Sequence, residues 1–222
     1  MSSPCCTEGS SLRDRMCWSV RTRARSAMVA VVLPLAFGGI ARAEELKAPP
    51  IGRQLEYACK KERAYKRIYR VGSVDGDVVR YETTDGSGSY ATKPLWLTGT
   101  TLYIEGHSGE TTTKVTSGLE AFSGLRSLAV GSTFEGSIIE QDAHGKDVRS
   151  HVIVRVTEER SYQIAPFGPL AVLVIEQVWK TDDRLYSRTA YVSHEKSTTV
   201  YWKDKDPDGK IEECRLTALV DP

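Results

Sequence analysis

An acidic loop near the end of the chain has the spacing of a calcium-binding site. It places acidic side chains at alternate positions and glycine at the sixth, where calcium loops turn sharply: Asp204-Lys205-Asp206-Pro207-Asp208-Gly209. The twelfth place is Arg215, although a calcium loop needs a bidentate carboxylate there, and both flanks read as strands. We therefore interpret the loop as an acidic hairpin turn, with weak calcium binding as the alternative.

The remaining candidates for a catalytic or metal site are a Ser-x-x-Lys segment and the four histidines. Ser193 and Lys196 have the Ser-x-x-Lys spacing of penicillin-recognising enzymes. The companion motifs are missing from the sequence and the segment follows a predicted strand, so we attribute this match to chance. The four histidines lie far apart and none forms a two-histidine metal spacing: His107, His144, His151 and His194. We therefore predict no catalytic residues, no metal site and no cofactor.

A basic segment from Lys60 to Arg70 interleaves cationic side chains with Tyr65 and Tyr69. This combination can bind phosphates while the rings stack on planar groups. We interpret the segment as the solvated face of a first strand or helix, in which the long Lys and Arg stems cover apolar neighbours. Contact with an anionic envelope surface is the alternative.

The start of the chain has the pattern of an export signal. The apolar run Ala27–Ile40 follows several arginines and ends in Ala41-Arg42-Ala43. The run is shorter than the roughly 20 residues that span a bilayer, and small residues at its end suit cleavage. We predict a signal peptide over residues 1–43, with Met16 as a possible true start, and a periplasmic or secreted mature chain at 44–222 without a transmembrane span. A retained anchor is the alternative.

Charge and cysteine content of the predicted mature chain limit its partners and its chemistry. Removing the leader from a chain with 30 basic and 29 acidic residues leaves a net charge of about −3. Together with export, this charge argues against nucleic acid as a partner. Two cysteines remain, Cys59 and Cys214. In an oxidising compartment they predict one disulfide that ties the first element to the last, and two free thiols are the alternative.

The sequence predicts that β-strands position these residues. From Tyr65 onward, short β-branched and aromatic segments alternate with Gly, Asp and Ser clusters. The pair Asp75-Gly76 is the strongest hairpin signal, and we interpret Gly86–Ser89 as a flexible loop and Pro166–Pro169 as a turn. The predicted strands are Tyr65–Gly72, Asp77–Thr84, Thr101–Glu105, Thr111–Thr116, Thr133–Gln141, Val148–Thr157, Leu170–Lys180, Leu185–Val192, Thr198–Lys203 and Ile211–Leu219.

One helical segment and several large aromatic residues complete the pattern. The segment Ser117–Leu128 spaces Leu119, Phe122, Leu125 and Leu128 as a short helix that closes one end of a sheet. Leu170–Trp179 is apolar on both faces, which predicts a central strand. Large aromatic side chains on predicted strands can fill the core or line a ligand cavity, and both readings stay open: Trp96, Trp179, Tyr201 and Trp202.

Three segments resemble exported bacterial proteins of unknown function that form curved antiparallel sheets or half-barrels, related in shape to periplasmic lipoprotein carriers. They are the opener Val130-Gly131-Ser132-Thr133-Phe134, the turn Pro166-Phe167-Gly168-Pro169-Leu170, and Val200-Tyr201-Trp202 with the Gly209 hairpin. The resemblance implies a mainly β fold, a curved antiparallel sheet or half-barrel with one short helical segment. We therefore predict a non-catalytic envelope protein that binds an apolar or amphipathic ligand or a protein partner. A structural protein with a packed core, or a hydrolase whose residues meet only in space, are the alternatives.

Overall fold

The computed structural model of the chain describes most of the predicted β domain, at residues 46–76, 78–84, 88–92, 102–142 and 144–222. These residues lie within one compact unit. The predicted signal peptide at 1–43 and Trp96 lie outside the described residues. The start of the mature chain therefore remains a prediction.

Within the described residues, twelve antiparallel strands form a closed ring, and a 3-10 helix at Leu119–Arg126 follows the sixth. Each strand pairs with its neighbours in the sequence, and β1 also pairs with β12, which closes the barrel. The strands are β1 Gln54–Lys60, β2 Ala64–Asp75, β3 Val78–Thr83, β4 Gly88–Thr92, β5 Glu105–Ser108, β6 Thr111–Ser117, β7 Thr133–Gln141, β8 Asp147–Ile164, β9 Gly168–Lys180, β10 Leu185–Ser193, β11 Thr198–Lys205 and β12 Ile211–Val220.

The predicted half-barrel or curved sheet is wrong, because the sheet closes on itself. The prediction placed the first strand at Tyr65 and omitted β1, which fills the space between β12 and β2. In β1 the side chains of Leu55, Tyr57 and Cys59 are buried on alternate positions, while those between them face outward. The prediction also read Gly86–Ser89 as a flexible loop, although Gly88 and Ser89 begin β4, which pairs with β3 and β5. Gly86 and Ser87 lie outside the described residues.

The structure contains the predicted disulfide between Cys59 and Cys214. The two residues stand directly opposite each other in the β1–β12 ladder. Both side chains are buried in the core. The bridge therefore crosses the one seam that joins the beginning of the barrel to its end.

Other local predictions are confirmed in outline and corrected in detail. The Asp75-Gly76 hairpin is present, and Gly76 adopts a positive φ of 56° there. The strand predicted at Leu170 lies between β8 and β10, away from any sheet edge. The turn predicted over Pro166–Pro169 is shorter, because Gly168 and Pro169 already belong to β9 and Pro169 pairs with Gln163.

The helical segment is a 3-10 helix between β6 and β7. Its apolar residues recur every third position, which matches the three residues per turn of a 3-10 helix, and Phe122 and Leu125 are buried. In β7, Gly136 lets the helix approach closely, because a Cβ there would lie 2.6 Å from the Cβ of Ala121. Within the described residues, no helix is long and apolar enough to cross a membrane.

Two apolar clusters fill much of the barrel interior. The first packs the 3-10 helix against strands β6 to β10 around Phe122, Ile138 and Val154. The second joins β1 to β3 with β8 to β12 around Tyr57 and Trp202. Because these buried side chains pack directly on one another, the part of the interior that they occupy is filled.

Candidate functional site

A cavity of about 1090 Å³ lies at the end of the barrel where β1 turns into β2, β5 into β6 and β9 into β10. Antiparallel strands that follow one another around a ring return to the same end at every second connection. We call this space the mouth cavity. Its walls include Tyr69, Tyr90, Tyr103, Trp179, Tyr186 and Trp202.

A chain of ring contacts links the core to one wall of the mouth cavity. Trp202 contacts Tyr57 edge to face at 4.6 Å between ring centroids, and Tyr57 contacts Tyr69 at 6.1 Å. Tyr69 meets Tyr90 at 5.4 Å, and Tyr90 stacks on Tyr81 at 5.2 Å. Such contacts fix the orientation of each ring. The cavity wall is therefore held in place by the core beneath it.

The indole N–H of Trp202 is unusual because it is buried without a hydrogen-bond partner among the described residues. The Trp202 side chain is 1% exposed, and the donor is its Nε1. Buried donors in native proteins nearly always have a partner, so an exception at a cavity wall calls for a reason. A ligand atom that accepts this hydrogen bond is one such reason.

Two arginines project into the mouth cavity, each held by a carboxylate. On β10, Arg188 donates from Nε and Nη2 to the two carboxylate oxygens of Asp204 on β11, and its guanidinium lies 5.8 Å from the Trp202 ring. On β2, Arg67 donates to Glu212 at 3.3 Å. Burial raises the pKa of Glu212, and the charge of Lys61 opposes this rise. The ion pairs thus hold two forked donors at the wall, while Asp204 and Glu212 line a smaller neighbouring pocket.

A tyrosine and a glutamate form a third polar group in the mouth cavity. Tyr103 donates to Glu140 Oε1 at 2.6 Å and accepts from the Thr113 hydroxyl at 3.2 Å. Burial raises the pKa of Glu140, and the hydrogen bond from Tyr103 opposes this rise. Burial and the neighbouring Glu140 charge raise the pKa of Tyr103 as well. Glu140 can therefore exchange a proton at a higher pH than an ordinary carboxyl.

We expect Glu140→Gln to keep or increase stability at pH 7. A carboxyl whose folded-state pKa is raised binds its proton more tightly in the folded protein, so the wild type loses stability as pH rises above the ordinary value of 4.5. Glutamine stays neutral and still accepts from Tyr103. Urea unfolding between pH 4.5 and 7.5 should show an advantage that disappears as the pH falls.

The matched control for this change is Glu159→Gln, on an exposed position of β8. It should show no comparable trend with pH. A Glu140→Gln protein that is less stable than the wild type by the same amount at every pH would contradict the burial argument.

The structure keeps the four histidines apart but places one of them in a polar array. His107 contacts Glu105 through Nε2 and Thr112 through Nδ1, the latter at 2.8 Å. Thr112, His107 and Glu105 thus follow the order of nucleophile, base and carboxylate in a catalytic triad. The three side chains stand on the outward face of β5 and β6, whose main chains pair with each other. We interpret them as a cross-strand polar cluster.

The acidic loop and the Ser-x-x-Lys segment both form turns. Asp204 pairs with Arg188, and Asp206 accepts the main-chain N–H of Lys210 at 2.8 Å, as in a hairpin turn. Ser193 accepts the main-chain N–H of Lys196 at 3.3 Å, while the Lys196 ammonium contacts Glu195 at 2.7 Å. Among the described residues, no group of three His, Cys, Asp or Glu is placed to hold a metal ion.

The basic segment forms the end of β1, its turn and the start of β2. Several of its cations are paired, such as Lys66 with Glu56 at 2.6 Å and Lys61 with Asp206 at 3.4 Å. The sequence interpretation missed that Arg67 lines the mouth cavity. The signal was present, because Arg67, Tyr69 and Val71 alternate on the face that becomes buried.

The aromatic residues are divided between core, cavity and surface. Trp179 and Trp202 are buried and also line the mouth cavity, so each belongs to the core and to the cavity wall. Tyr201 stands on the opposite face of β11, where it contacts Tyr162 and Tyr191. The sequence pattern placed all three on strands but did not separate these environments.

Comparison with known proteins supports the fold. No family model matches the sequence, and no curated protein matches it. Among solved structures, the chain is similar to the hypothetical lipoprotein YmcC from Escherichia coli (K12), with a TM-score of 0.51 and 11% identity over 90% of this chain and 100% of that chain. At this identity the likeness concerns the fold alone. The protein thus shares the β architecture of a hypothetical lipoprotein, in agreement with the resemblance to exported β proteins.

Proposed function

We propose that this protein is a non-catalytic binding module of the cell envelope that holds an amphipathic small molecule in the mouth cavity. The observation that carries the proposal is the cavity itself. Its volume of about 1090 Å³ is slightly above the usual range for ligand pockets, roughly 300–1,000 Å³. The filled core below it keeps the wall in one shape, so the site is formed before a ligand arrives.

The wall chemistry favours an amphipathic ligand over a wholly apolar one. Aromatic faces such as Tyr186 and Trp179 offer apolar area, while Arg188 offers donors and the carboxylates of Glu140 and Asp183 offer acceptors on the same wall. A wholly apolar ligand would bury these polar groups without replacing their contacts with water, which costs free energy. A ligand with both kinds of surface avoids this cost.

Location in the envelope is supported by two independent features. The leader pattern at residues 1–43 predicts export. The Cys59–Cys214 disulfide suits an oxidising compartment. Fractionation that finds the protein in the cytosol with both thiols reduced would contradict this part of the proposal.

The proposal of a non-catalytic role rests on how the polar groups are arranged. The array of Thr112, His107 and Glu105 stands on the outward sheet face. The main-chain amides of β5 and β6 serve the ladder there, and acyl transfer needs donors aimed at the developing oxyanion. In the mouth cavity, the carboxyl of Glu140 accepts a hydrogen bond from the Tyr103 hydroxyl. We therefore assign these polar groups to ligand binding and not to catalysis.

Native mass spectrometry of the mature protein, purified gently from its own envelope, tests the proposal. We expect a co-purified small molecule on the wild type and its loss in Gly106→Leu. A Cβ at Gly106 would be 3.4 Å from Thr113 Oγ1 and 3.6 Å from the Tyr103 ring, so it would not overlap the backbone. The rest of the leucine side chain would occupy space in the mouth cavity.

The matched control is Lys114→Leu, which adds the same side chain on the exposed face of the neighbouring strand. It should retain the small molecule. A wild type that carries no small molecule, or a Gly106→Leu protein that keeps it, would count against the mouth cavity as the site.

An aromatic surface outside the barrel favours a protein partner as a second candidate. Tyr191 contacts Tyr162 and Tyr201 at 4.8 Å each, and Arg160 lies 4.4 Å from the Tyr191 ring. Arg215 lies 5.7 Å from the Tyr201 ring. Tyrosine and arginine are enriched at interface hot spots. In the same spectra, such a partner would appear as a larger complex that survives Gly106→Leu.

A further inference from the structure

We propose that the ligand of the mouth cavity is a neutral saccharide, whose sugar rings stack on the aromatic walls while its hydroxyl groups bind the polar groups between them. This inference rests on the proposed function and narrows the ligand class. Four properties of the wall support it: its lack of aliphatic surface, its spread of aromatic faces, its donors and acceptors, and its balance of charge.

The wall of the mouth cavity has very little aliphatic surface. Among the described residues that line it, Val148 is the only one with an aliphatic side chain. An acyl chain would need a continuous apolar tube, because each CH₂ group gains about 0.8 kcal/mol only when it leaves water for apolar surroundings. Nearly all of the buried leucine, isoleucine and valine side chains in the described residues lie in the two filled clusters instead.

Aromatic rings are distributed around the cavity. Tyr69 comes from β2, Tyr90 from β4 and Tyr103 from the segment ahead of β5, while Trp179, Tyr186 and Trp202 come from β9, β10 and β11. A sugar ring has C–H groups on its faces and hydroxyl groups at its edge. Rings with a flat apolar face and a polar tip suit both parts of such a ligand.

Between the rings, the wall offers donors and acceptors together. A sugar hydroxyl both donates and accepts, so its site needs partners of both kinds. Arg67 and Arg188 supply forked donors, and the carboxylates of Glu140, Asp147, Asp182 and Asp183 supply acceptors. The buried Nε1 of Trp202 is a further donor without an acceptor in the described part of the chain. Hydroxyl side chains at the wall are Thr83, Ser89, Ser108, Thr111, Thr113 and Thr181.

The charges at the wall nearly cancel, which favours an uncharged ligand. The described lining residues include Arg67, Lys146, Arg149, Arg184 and Arg188 on the basic side and Glu140, Asp147, Asp182 and Asp183 on the acidic side. A site for a polyanion would instead be lined by one sign of charge. The arginines that project deepest are already paired with carboxylates.

Isothermal titration calorimetry of the mature protein tests the inference with neutral tetrasaccharides of glucose, of galactose and of N-acetylglucosamine. We expect one of them to bind, and Tyr186→Leu to weaken that binding by at least about tenfold, which corresponds to about 1.4 kcal/mol. Leucine keeps apolar volume at this position but removes the ring face. Trp202→Phe should also weaken binding, because it removes the indole donor and keeps a ring.

An apolar probe, 1-N-phenylnaphthylamine, separates the saccharide inference from the proposed function. It should bind weakly to the wild type, because the wall has little aliphatic surface. Lys114→Leu serves as the control for every probe. Octyl glucoside below its micelle concentration tells whether a sugar carried on a lipid chain binds better than the free saccharide.

Each outcome decides the inference. Saccharide binding that Tyr186→Leu and Gly106→Leu both weaken supports it. Tight binding of the naphthylamine with no saccharide heat overturns the saccharide class and leaves the cavity as a ligand site. If no probe binds, the fragments of the co-purified molecule decide: losses of hexose or N-acetylhexosamine support the inference, and their lack overturns it. A protein that carries no molecule at all ends both proposals.

Discussion

Gly118→Ala is expected to lower the free energy of unfolding by about 3 kcal/mol or more. Gly118 joins β6 to the 3-10 helix with a φ of 91°, and a left-handed backbone costs other residues about 1–2 kcal/mol. A Cβ there would also lie 2.0 Å from the main-chain oxygen of Ser137 and 2.9 Å from Cα of Ile138. Both atoms belong to the backbone of β7, so relief requires moving the strand, which adds about 1–3 kcal/mol.

Gly131→Ala separates the two contributions. Gly131 precedes β7 with a φ of 89°, almost the same as that of Gly118, and a Cβ there would meet nothing within 4 Å. This variant should lose only the conformational part, about 1–2 kcal/mol. Urea unfolding followed by circular dichroism measures both variants. Equal losses would show that the backbone overlap at Gly118 carries no cost and that the 3-10 helix can move away from β7.

The close approach at Gly118 shows which features the sequence could not predict. The bounds of β7 were predicted correctly at Thr133–Gln141, because alternation within a strand is a local property. The contact of Gly118 with β7 depends on how the helix crosses the strand. Nothing in the residues around Gly118 specifies which backbone lies opposite, so its role could not be inferred.

Closure of the barrel was missed for a related reason. The residues Leu55, Tyr57 and Cys59 do alternate, so β1 was open to prediction as a strand. Whether a row of strands stays open or closes depends on the pairing of β1 with β12, whose residues are far apart in the sequence. The two cysteines were the only long-range signal, and they correctly tied the first element to the last.

The mouth cavity could be predicted only in part. The sequence identified Trp179 and Trp202 as residues for a core or a cavity, and the structure gives them both roles. It did not identify Arg67, Glu140 or Arg188. Arg67 does alternate with Tyr69 and Val71, but alternation shows only that these side chains share a face, and whether that face lines a cavity depends on how the strands close into a barrel.

Replacing both Cys59 and Cys214 with alanine is expected to cost about 4–5 kcal/mol of stability. The bridge joins residues separated by 155 positions. In the chain-entropy model, a loop of this length restricts the unfolded state by about that amount. Because both sulfur atoms are buried in the second core cluster, lost packing adds to the effect. Urea unfolding of the oxidised wild type and the double variant measures the difference.

Two further measurements link this loss to barrel closure. The wild type in excess reductant should approach the stability of the double variant, because both lack the bridge. Hydrogen exchange in the double variant should accelerate first in β1 and β12, since their ladder has then lost the covalent bridge between Cys59 and Cys214. A loss below about 1 kcal/mol, or exchange that accelerates evenly around the barrel, would show that the seam closes without help from the bridge.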